Sequence, residues 1–260
     1  MPFVDAGGHR LEYEWLGPQP ADAPTVVMLH EGLGSVSLWR DFPQKVQEAT
    51  GLGVLVYSRW GYGKSDPFHD YPRPVDYMTP EAQEGLRDVL RALGVTRPIL
   101  LGHSDGASIA IIYAGSNIEP APLGVILMAP HVFVEHICTV SIAKARVAYE
   151  AEGLRDKLAR YHDDVDSAFY GWNTIWMRPQ FISDWNIERF VDTIACPITV
   201  IQGEQDEYGT EAQYNSIRDH SGGRAEIVVL PDCGHTPQKD QLDMTLKAIT
   251  AHVDALKARM

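Results

Sequence analysis

Ser104 stands between two glycines in Gly102-His103-Ser104-Asp105-Gly106, the centre of the stretch LLGHSDGASIA. A serine hydroxyl becomes a useful nucleophile when a base takes its proton and fixed donors hold the charge that its attack creates. The spacing here supplies the presentation. An apolar run ends at Gly102 and a small-residue helical pattern starts almost at once, so the chain must reverse sharply at the serine. Glycine two places to either side relieves the crowding of such a bend and leaves the hydroxyl raised beside a helix N-terminus. This is the G-x-S-x-G elbow in the strand–turn–helix context that it requires; without that context the serine would only cap a helix. His103 and Asp105, adjacent on the bend, are expected to point away from the serine oxygen, because a base must approach to roughly 2.6–3.2 Å. Asp105 offers its backbone N–H to an oxyanion instead, and its carboxylate is left to water or to a neighbour.

The missing base and acid must come from later loops. VIQGEQDEYG offers Glu204, Asp206 and Glu207, and LPDCGHTP offers His235. The chain order serine, acid, histidine differs from that of the chymotrypsin and subtilisin types. Cys233 lies beside His235 with no third group in sight and reads as an inert buried thiol.

These groups need a scaffold that brings distant loops to one rim. Thr25 to His30, Gly53 to Ser58, Pro98 to Gly102, Gly124 to Pro130, Pro197 to Gly203 and Ala225 to Pro231 are nearly continuous apolar runs. Such runs are typical of parallel strands covered on both faces. His9 to Gly17 alternates, as an antiparallel strand near an edge does. Helical patterns separate the runs: one has Thr79 as the expected N-cap, Leu86, Val89, Leu90 and Leu93 at helical spacing, and Gly94 as its stop. After the serine, Ala107, Ala110 and Ala114 put small side chains on one face, permitting close approach to a sheet. Another amphipathic helix is expected from Gln241. The expected architecture is α/β with a mostly parallel sheet and helices on both faces.

Between Pro130 and Pro197 no strand is evident, and the segment reads as several helices. Residues 1–130 and 191–260 are therefore expected to form the core, and 131–190 an inserted helical cap. Phe169, Tyr170, Trp172, Trp176, Phe181 and Trp185 concentrate aromatic rings there. Most such rings are expected to pack the cap itself.

The stretches LHEGLGSVSLW, SRWGYGKSD, GHSDG and GEQDEYG…GHTP, in this order and nearly spanning the chain, together resemble the α/β-hydrolase superfamily with a helical cap. The resemblance implies Ser104 as nucleophile, His235 as general base and then acid, and Asp206 as the acid that orients the imidazole, by the pattern G-x-x-D from Gly203. It implies the N–H groups of Gly32 and Asp105 as oxyanion donors, with Leu33 as the fallback for Gly32. Two departures stand out. The usual His-Gly pair is His30-Glu31 here, which puts a carboxylate near the nucleophile. Four roles are open to Glu31: tuning His235, orienting a water, holding a polar substrate group, or facing solvent. Ser58 and Trp60 replace an Asp and an Arg that are usually structural. Glu31, Leu33, His131, Trp172 and Trp176 are the expected substrate contacts.

The expected reaction is hydrolysis of a small acyl substrate, a carboxylic ester in the simplest case, through an acyl-enzyme. A serine at the elbow argues against haloalkane dehalogenase and epoxide hydrolase activity, whose enzymes carry aspartate there. C–C bond hydrolysis, thioester and lactone cleavage use the same triad; a low-turnover ligand-binding protein and a cofactor-free oxygenase are the readings from other classes. No cofactor is implied. A formal net charge of -13 disfavours nucleic acid and anionic membranes as partners, leaving a small-molecule substrate. Monomer and homo-oligomer are equally compatible with the pattern. MPFVDAGGHRLEYEW lacks a basic start and an apolar core, no apolar run would span a bilayer, and Cys138, Cys196 and Cys233 lack a CxxC spacing; a cytoplasmic location is expected. His131, Glu135 and His136 resemble a metal set but lack a third histidine, so no metal site is expected. The run Asp163, Asp164, Asp166 lacks the glycine and glutamate of a calcium loop and reads as a solvated helix start.

Overall fold

Each of the six apolar runs becomes a strand, and all six pair in parallel. The computed structural model describes residues 1–21 and 23–259. Its strands are β1 (Phe3–Ala6), β2 (His9–Leu16), β3 (Thr25–Leu29), β4 (Gly53–Tyr57), β5 (Pro98–His103), β6 (Gly124–Met128), β7 (Ile198–Gly203) and β8 (Ala225–Leu230). Among the described residues they form one sheet in the order β1-β2-β4-β3-β5-β6-β7-β8. β1–β2 and β2–β4 are antiparallel and every other pair is parallel.

The helices are α1 (Phe42–Thr50), α2 (Met78–Pro80), α3 (Arg87–Ala92), α4 (Asp105–Gly115), α5 (His136–Ala151), α6 (Leu154–Leu158), α7 (Val165–Trp176), α8 (Pro179–Asp184), α9 (Glu188–Val191), α10 (Glu211–His220), α11 (Pro237–Asp240) and α12 (Leu242–Lys257). A wider π-type segment, Glu81–Leu86, joins α2 to α3. β3 shows how the sheet divides the core: Val26 and Met28 pack with Val46 of α1 and Val253 of α12, whereas Val27 and Leu29 pack on the opposite face with Ile109 of α4. Helices therefore cover both faces, and the fold is that of an α/β hydrolase. Every residue of α4 is buried, which explains its mostly apolar character, with Gly106, Ala107, Ala110, Ala114 and Gly115 among its small residues. α5 to α9 follow one another between β6 and β7 without a strand, apart from an isolated bridge between Phe133 and Asn186. The last of them, α9, already packs against α4 and α10.

Two local expectations are corrected. Thr79 does not cap its helix: Tyr77 is the N-cap, already in helical conformation after a turn closed by its N–H on the Pro74 carbonyl. β8 is not fully covered on both faces. It is the sheet's outer strand: Ala225 and Ile227 pack on one face and Val228 and Leu230 on the other, but Glu226 and Val229 are exposed, so each face is covered only in part. β1 and α8 carry too few patterned residues to be read from sequence. No described helix is long and apolar enough to cross a membrane.

Because the six strands run in parallel, their carboxyl ends open at one rim. The loops after β3, β5, β7 and β8 carry Glu31 to Leu33, Ser104, Asp206 and His235 to that rim. Crevices outside strand carboxyl ends are where ligands bind in open α/β sheets.

Candidate active site

The bend at Ser104 is held by close contacts that exclude larger side chains. Ser104 has φ 52° and ψ -116°, a strained conformation for a residue with a Cβ. A Cβ on Gly102 would lie 2.3 Å from the Gly106 carbonyl oxygen, and one on Gly106 would lie 2.1 Å from that of Leu29. The elbow thus packs directly on the strand ends. The Ser104 carbonyl accepts from the N–H groups of Ala107 (2.9 Å) and Ser108 (3.1 Å). A peptide unit is planar and trans, so the Asp105 N–H on that peptide points outward from the helix N-terminus.

His235 Nε2 lies 2.9 Å from Ser104 Oγ, and its Nδ1 lies 2.8 and 2.9 Å from the two Asp206 oxygens. With Nδ1–H donated to the carboxylate, Nε2 is left to accept the hydroxyl proton. Asp206 also accepts from the N–H groups of Tyr208 and Gly209 and from Gln202 Nε2. Burial alone would raise the Asp206 carboxyl; the charge and hydrogen bond of His235, with the Tyr208 amide, hold it below the ordinary carboxylate value. Of the two other acids on this loop, Glu204 is exposed and Glu207 bonds the His235 main-chain N–H instead.

Both neighbours of Ser104 turn away from its oxygen. His103 Nε2 donates to the His235 carbonyl (2.7 Å). The Asp105 carboxylate accepts from Tyr77 Oη (2.7 Å), and burial pushes its carboxyl up.

The loop after β3 is organised by Arg59, which the sequence reading did not single out. Its guanidinium donates to the carbonyls of His30 (3.2 Å) and Glu31 (3.0 Å), and its main-chain N–H donates to His30 Nε2. The tautomer of His30 follows: Nδ1–H donates to the Glu31 carbonyl at 2.7 Å. Burial, with Arg59 second, lowers the His30 pKa well below the ordinary value, so the ring is neutral. Fixing the Glu31 carbonyl toward His30 and Arg59 turns the Gly32 N–H the other way. Arg59 follows β4 in the SRWGYG stretch, and its signal was a charged residue inside an otherwise buried turn. Of the two departures in that stretch, Ser58 donates to Glu12 Oε1 (2.6 Å) and accepts from the Val36 N–H (2.9 Å), while Trp60 stacks on His9.

A cavity of about 260 Å³ opens onto Ser104 and His235. Glu31, Leu33, His131, Trp172 and Trp176 all line it. Trp172 lies so close that a Cβ on Gly32 would be 2.2 Å from its Nε1, so only glycine fits beneath the indole. Trp176 packs on Phe181 and Trp185 as well, and Phe169 stacks on Tyr149, so these rings also form a core of their own. Burial, with the His235 ring second, lowers the His131 pKa to about 3. A larger cavity of about 680 Å³ lies beside the β1–β2 hairpin, and none of Ser104, Asp206 and His235 lines it.

The remaining constellations do not converge. The Glu135 carboxylate is taken up by Thr210 and Gln213, away from His131 in the cavity wall, and among the described residues no group of three His, Cys, Asp or Glu could hold a metal ion. Asp164 caps α7 through the Ser167 N–H, and Asp166 pairs with Arg155. Cys233 is buried, with its thiol raised to about 11 by burial.

Residues 26–246 match the alpha/beta hydrolase family. Over 211 residues the chain is 26% identical to the putative carbamate hydrolase RutD of Klebsiella pneumoniae (strain 342), covering 74% of this chain and 77% of that one. Among solved structures, the enol-lactonase from Burkholderia xenovorans LB400 superposes with a TM-score of 0.75 at 19% identity, covering 97% of this chain and all of that one. The 2-hydroxy-6-oxo-6-phenylhexa-2,4-dienoate hydrolase from Rhodococcus sp. strain RHA1 does so with a TM-score of 0.79 at 17% identity, covering 96% of each. Relatives named as hydrolases support an enzyme of hydrolytic type.

Proposed function

The chain belongs to the alpha/beta hydrolase family, and on that premise we propose that it is a serine hydrolase of small, uncharged carboxylic esters. The observation that carries this reading is the unbroken line of contacts from Ser104 Oγ through the His235 ring to Asp206. In the proposed reaction Ser104 Oγ bonds to the ester carbonyl carbon while His235 Nε2 takes the hydroxyl proton, and Asp206 stabilises the imidazolium that forms. The carbonyl electron pair moves to oxygen, which the N–H groups of Gly32 and Asp105 receive. Each points opposite to the carbonyl of its peptide unit, that of Glu31 or of Ser104, which the contacts described above hold. Each such donor typically contributes about 2.7–4 kcal/mol to the transition state. Collapse expels the alcohol oxygen, which takes the proton from His235. A water then gives a proton to His235 as its oxygen bonds to the acyl carbon. Collapse breaks the bond to Ser104 Oγ, which takes that proton back from His235 and leaves the acid and the free enzyme.

Residues 131–190 are read as the cap of this site over a core of 1–130 and 191–260, since His131, Cys138, Ile142, Trp172 and Trp176 from that segment line the cavity with Ser104 and His235. The ester reading is favoured over cleavage of an acidic ring-opened substrate by the lining. Among the described residues no lysine or arginine lines the cavity, while Glu31 and Glu207 do. An anionic substrate would enter without a cation free of a carboxylate partner.

A fluorophosphonate probe tests the nucleophile: wild type is expected to label and Ser104→Ala to show no labelling. A panel of neutral, cationic and anionic esters, with a carbamate, a lactone and a thioester beside them, then reads kcat/KM. Preference for short neutral esters supports the proposal, and preference for an anionic acyl group overturns the substrate assignment.

A further inference from the structure

His235 is held by more than its ring. Its main-chain N–H donates to Glu207 Oε2 (3.1 Å), and its carbonyl accepts from His103 Nε2 (2.7 Å). His103 is 2% exposed, so that second bond is made out of water. The other nitrogen of the same ring, Nδ1, lies 3.6 Å from Glu31 Oε2 and 3.3 Å from Gln238 Nε2.

The protonation of this ring follows from its neighbours. A neutral ring donating from Nε2 would turn its Nδ1 lone pair toward a carboxylate, which repels it, with only the long contact from Gln238 Nε2 to offset that. A doubly protonated ring donates on both sides, and Glu31 becomes its counter-ion. Gln238 accommodates the same state: its Oε1 is buried and unpartnered, and turning the amide over brings that acceptor onto the Nδ1–H. Burial works against the charged ring, but the hydrogen bond and charge of Glu31 outweigh it and leave the His103 pKa raised. The opposite shift holds at Glu31, where burial is outweighed by His103 and the carboxyl is lowered.

We propose that Glu31 and His103 form an ion pair that positions the catalytic histidine: the His103 imidazolium holds the His235 carbonyl, and Glu31 keeps that imidazolium charged. A charge-assisted bond is shorter and roughly twice as strong as a neutral one. Glu31 directly precedes Gly32, so the pair also fixes the oxyanion loop to the histidine loop across the elbow. It does so with little net field at the reacting atoms. An unpaired imidazolium whose ring centre is 5.3 Å from that of His235 would oppose protonation of His235 during attack, and the carboxylate cancels it. The other charged or titratable groups around the pair are Asp206 and Glu207 from the loop after β7, His235 from the loop after β8, Asp105 at the start of α4, Arg59 from the loop after β4, His30 and His131 from the loops after β3 and β6, and His162 from the segment between α6 and α7. Arg40, Asp41 and Lys239 line a second cavity that Glu31 shares with Gln238. Glu31 and His103 are positioning residues, and their effect on rate rests on the hydrolase reading above.

The test uses the full chain with 15N-labelled histidines, titrated by NMR in wild type, Glu31→Gln and Glu31→Asp, with His103→Gln assigning the resonance. In wild type both His103 nitrogens are expected to stay protonated above the usual histidine range. Glu31→Gln should lower that titration by about one unit or more, and Glu31→Asp should restore part of it. In ester hydrolysis Glu31→Gln should lower kcat about tenfold with KM nearly unchanged, and move the alkaline limb of the pH profile down by the same interval. A wild-type His103 already neutral at pH 7, or one that titrates alike in all three proteins, overturns the pair. Should Glu31→Gln fail to fold, Glu31→Asp carries the test: it keeps the charge on a shorter stem, and an unshifted alkaline limb with an unshifted His103 titration would overturn the proposal. Failure of the wild-type serine to label defeats the hydrolase reading instead, while the NMR titration still decides the pair.

Discussion

Two buried histidines flank His235 at nearly the same range, with ring centres 5.3 Å (His103) and 5.6 Å (His131) from its own, and each is 2% exposed. Burial pushes both pKa values down, yet they end on opposite sides of the ordinary one. His103 has Glu31 against it and is raised; His131 has Trp176 edge-on against it, an unpartnered Nδ1 and no carboxylate bond, and falls to about 3. A single carboxylate decides which buried imidazole carries charge. The flank built from the loops after β3 and β5 is ionic and cross-linked. The flank beneath α5 and α7 is neutral and mostly apolar, suited to the carbon skeleton of a substrate.

The comparison can be broken most severely at the axis that both flanks serve. Asp206→Asn leaves the shape intact but removes the carboxylate that sets the His235 tautomer. On the proposed reaction kcat should fall by on the order of 10⁴, with fluorophosphonate labelling slowed in step. A loss below about tenfold would mean that another group orients the ring.

On the neutral flank the effect should be milder. His131→Phe keeps a flat ring and removes both nitrogens. Because His131 takes up no proton until about pH 3, the acid limb of kcat/KM should not move, and KM should change by about threefold. A displaced acid limb in this variant would show that His131 titrates with the reaction, and the contrast with His103 would fail.

The smallest effect sharpens the rule away from the site. His252 is buried without a carboxylate partner, with Nδ1 2.8 Å from Thr199 Oγ1; burial, and then Arg259, lower its pKa to about 4. A folded-state value below the unfolded one of about 6.5 stabilises the protein above that pH, and the contribution is lost as pH falls toward 4. Between pH 7 and pH 5 this amounts to about 2 kcal/mol. Urea unfolding at the two pH values should show that slope in wild type and a reduced one in His252→Leu; equal slopes would remove His252 from the account.

What the sequence made legible follows the same physics. The inner strands were readable because burial on both faces demands continuous apolar residues, and β8 misled for that reason, being apolar yet half-exposed at the sheet's edge. The elbow was readable because steric crowding is local: Gly102 and Gly106 report contacts made within a few residues of themselves or with the neighbouring strand. The loops that carry Asp206 and His235 were readable from chain order. The Glu31–His103 contact was not, since it joins residues 72 positions apart through a register that only the folded sheet defines. Arg59 was hidden likewise, because its two carbonyl acceptors lie 28 and 29 positions away.

The contact between Trp172 and Gly32 has a consequence for how such an enzyme changes its substrate. The indole occupies the space that any side chain at position 32 would need, so the floor of the cavity stays glycine for as long as Trp172 stands above it. A chimera that replaced residues 131–190 with those of a relative would inherit a new ceiling above an old floor. The constraint runs one way: a larger residue at position 32 is expected only after a smaller one at position 172, whereas Trp172 can be trimmed first and alone.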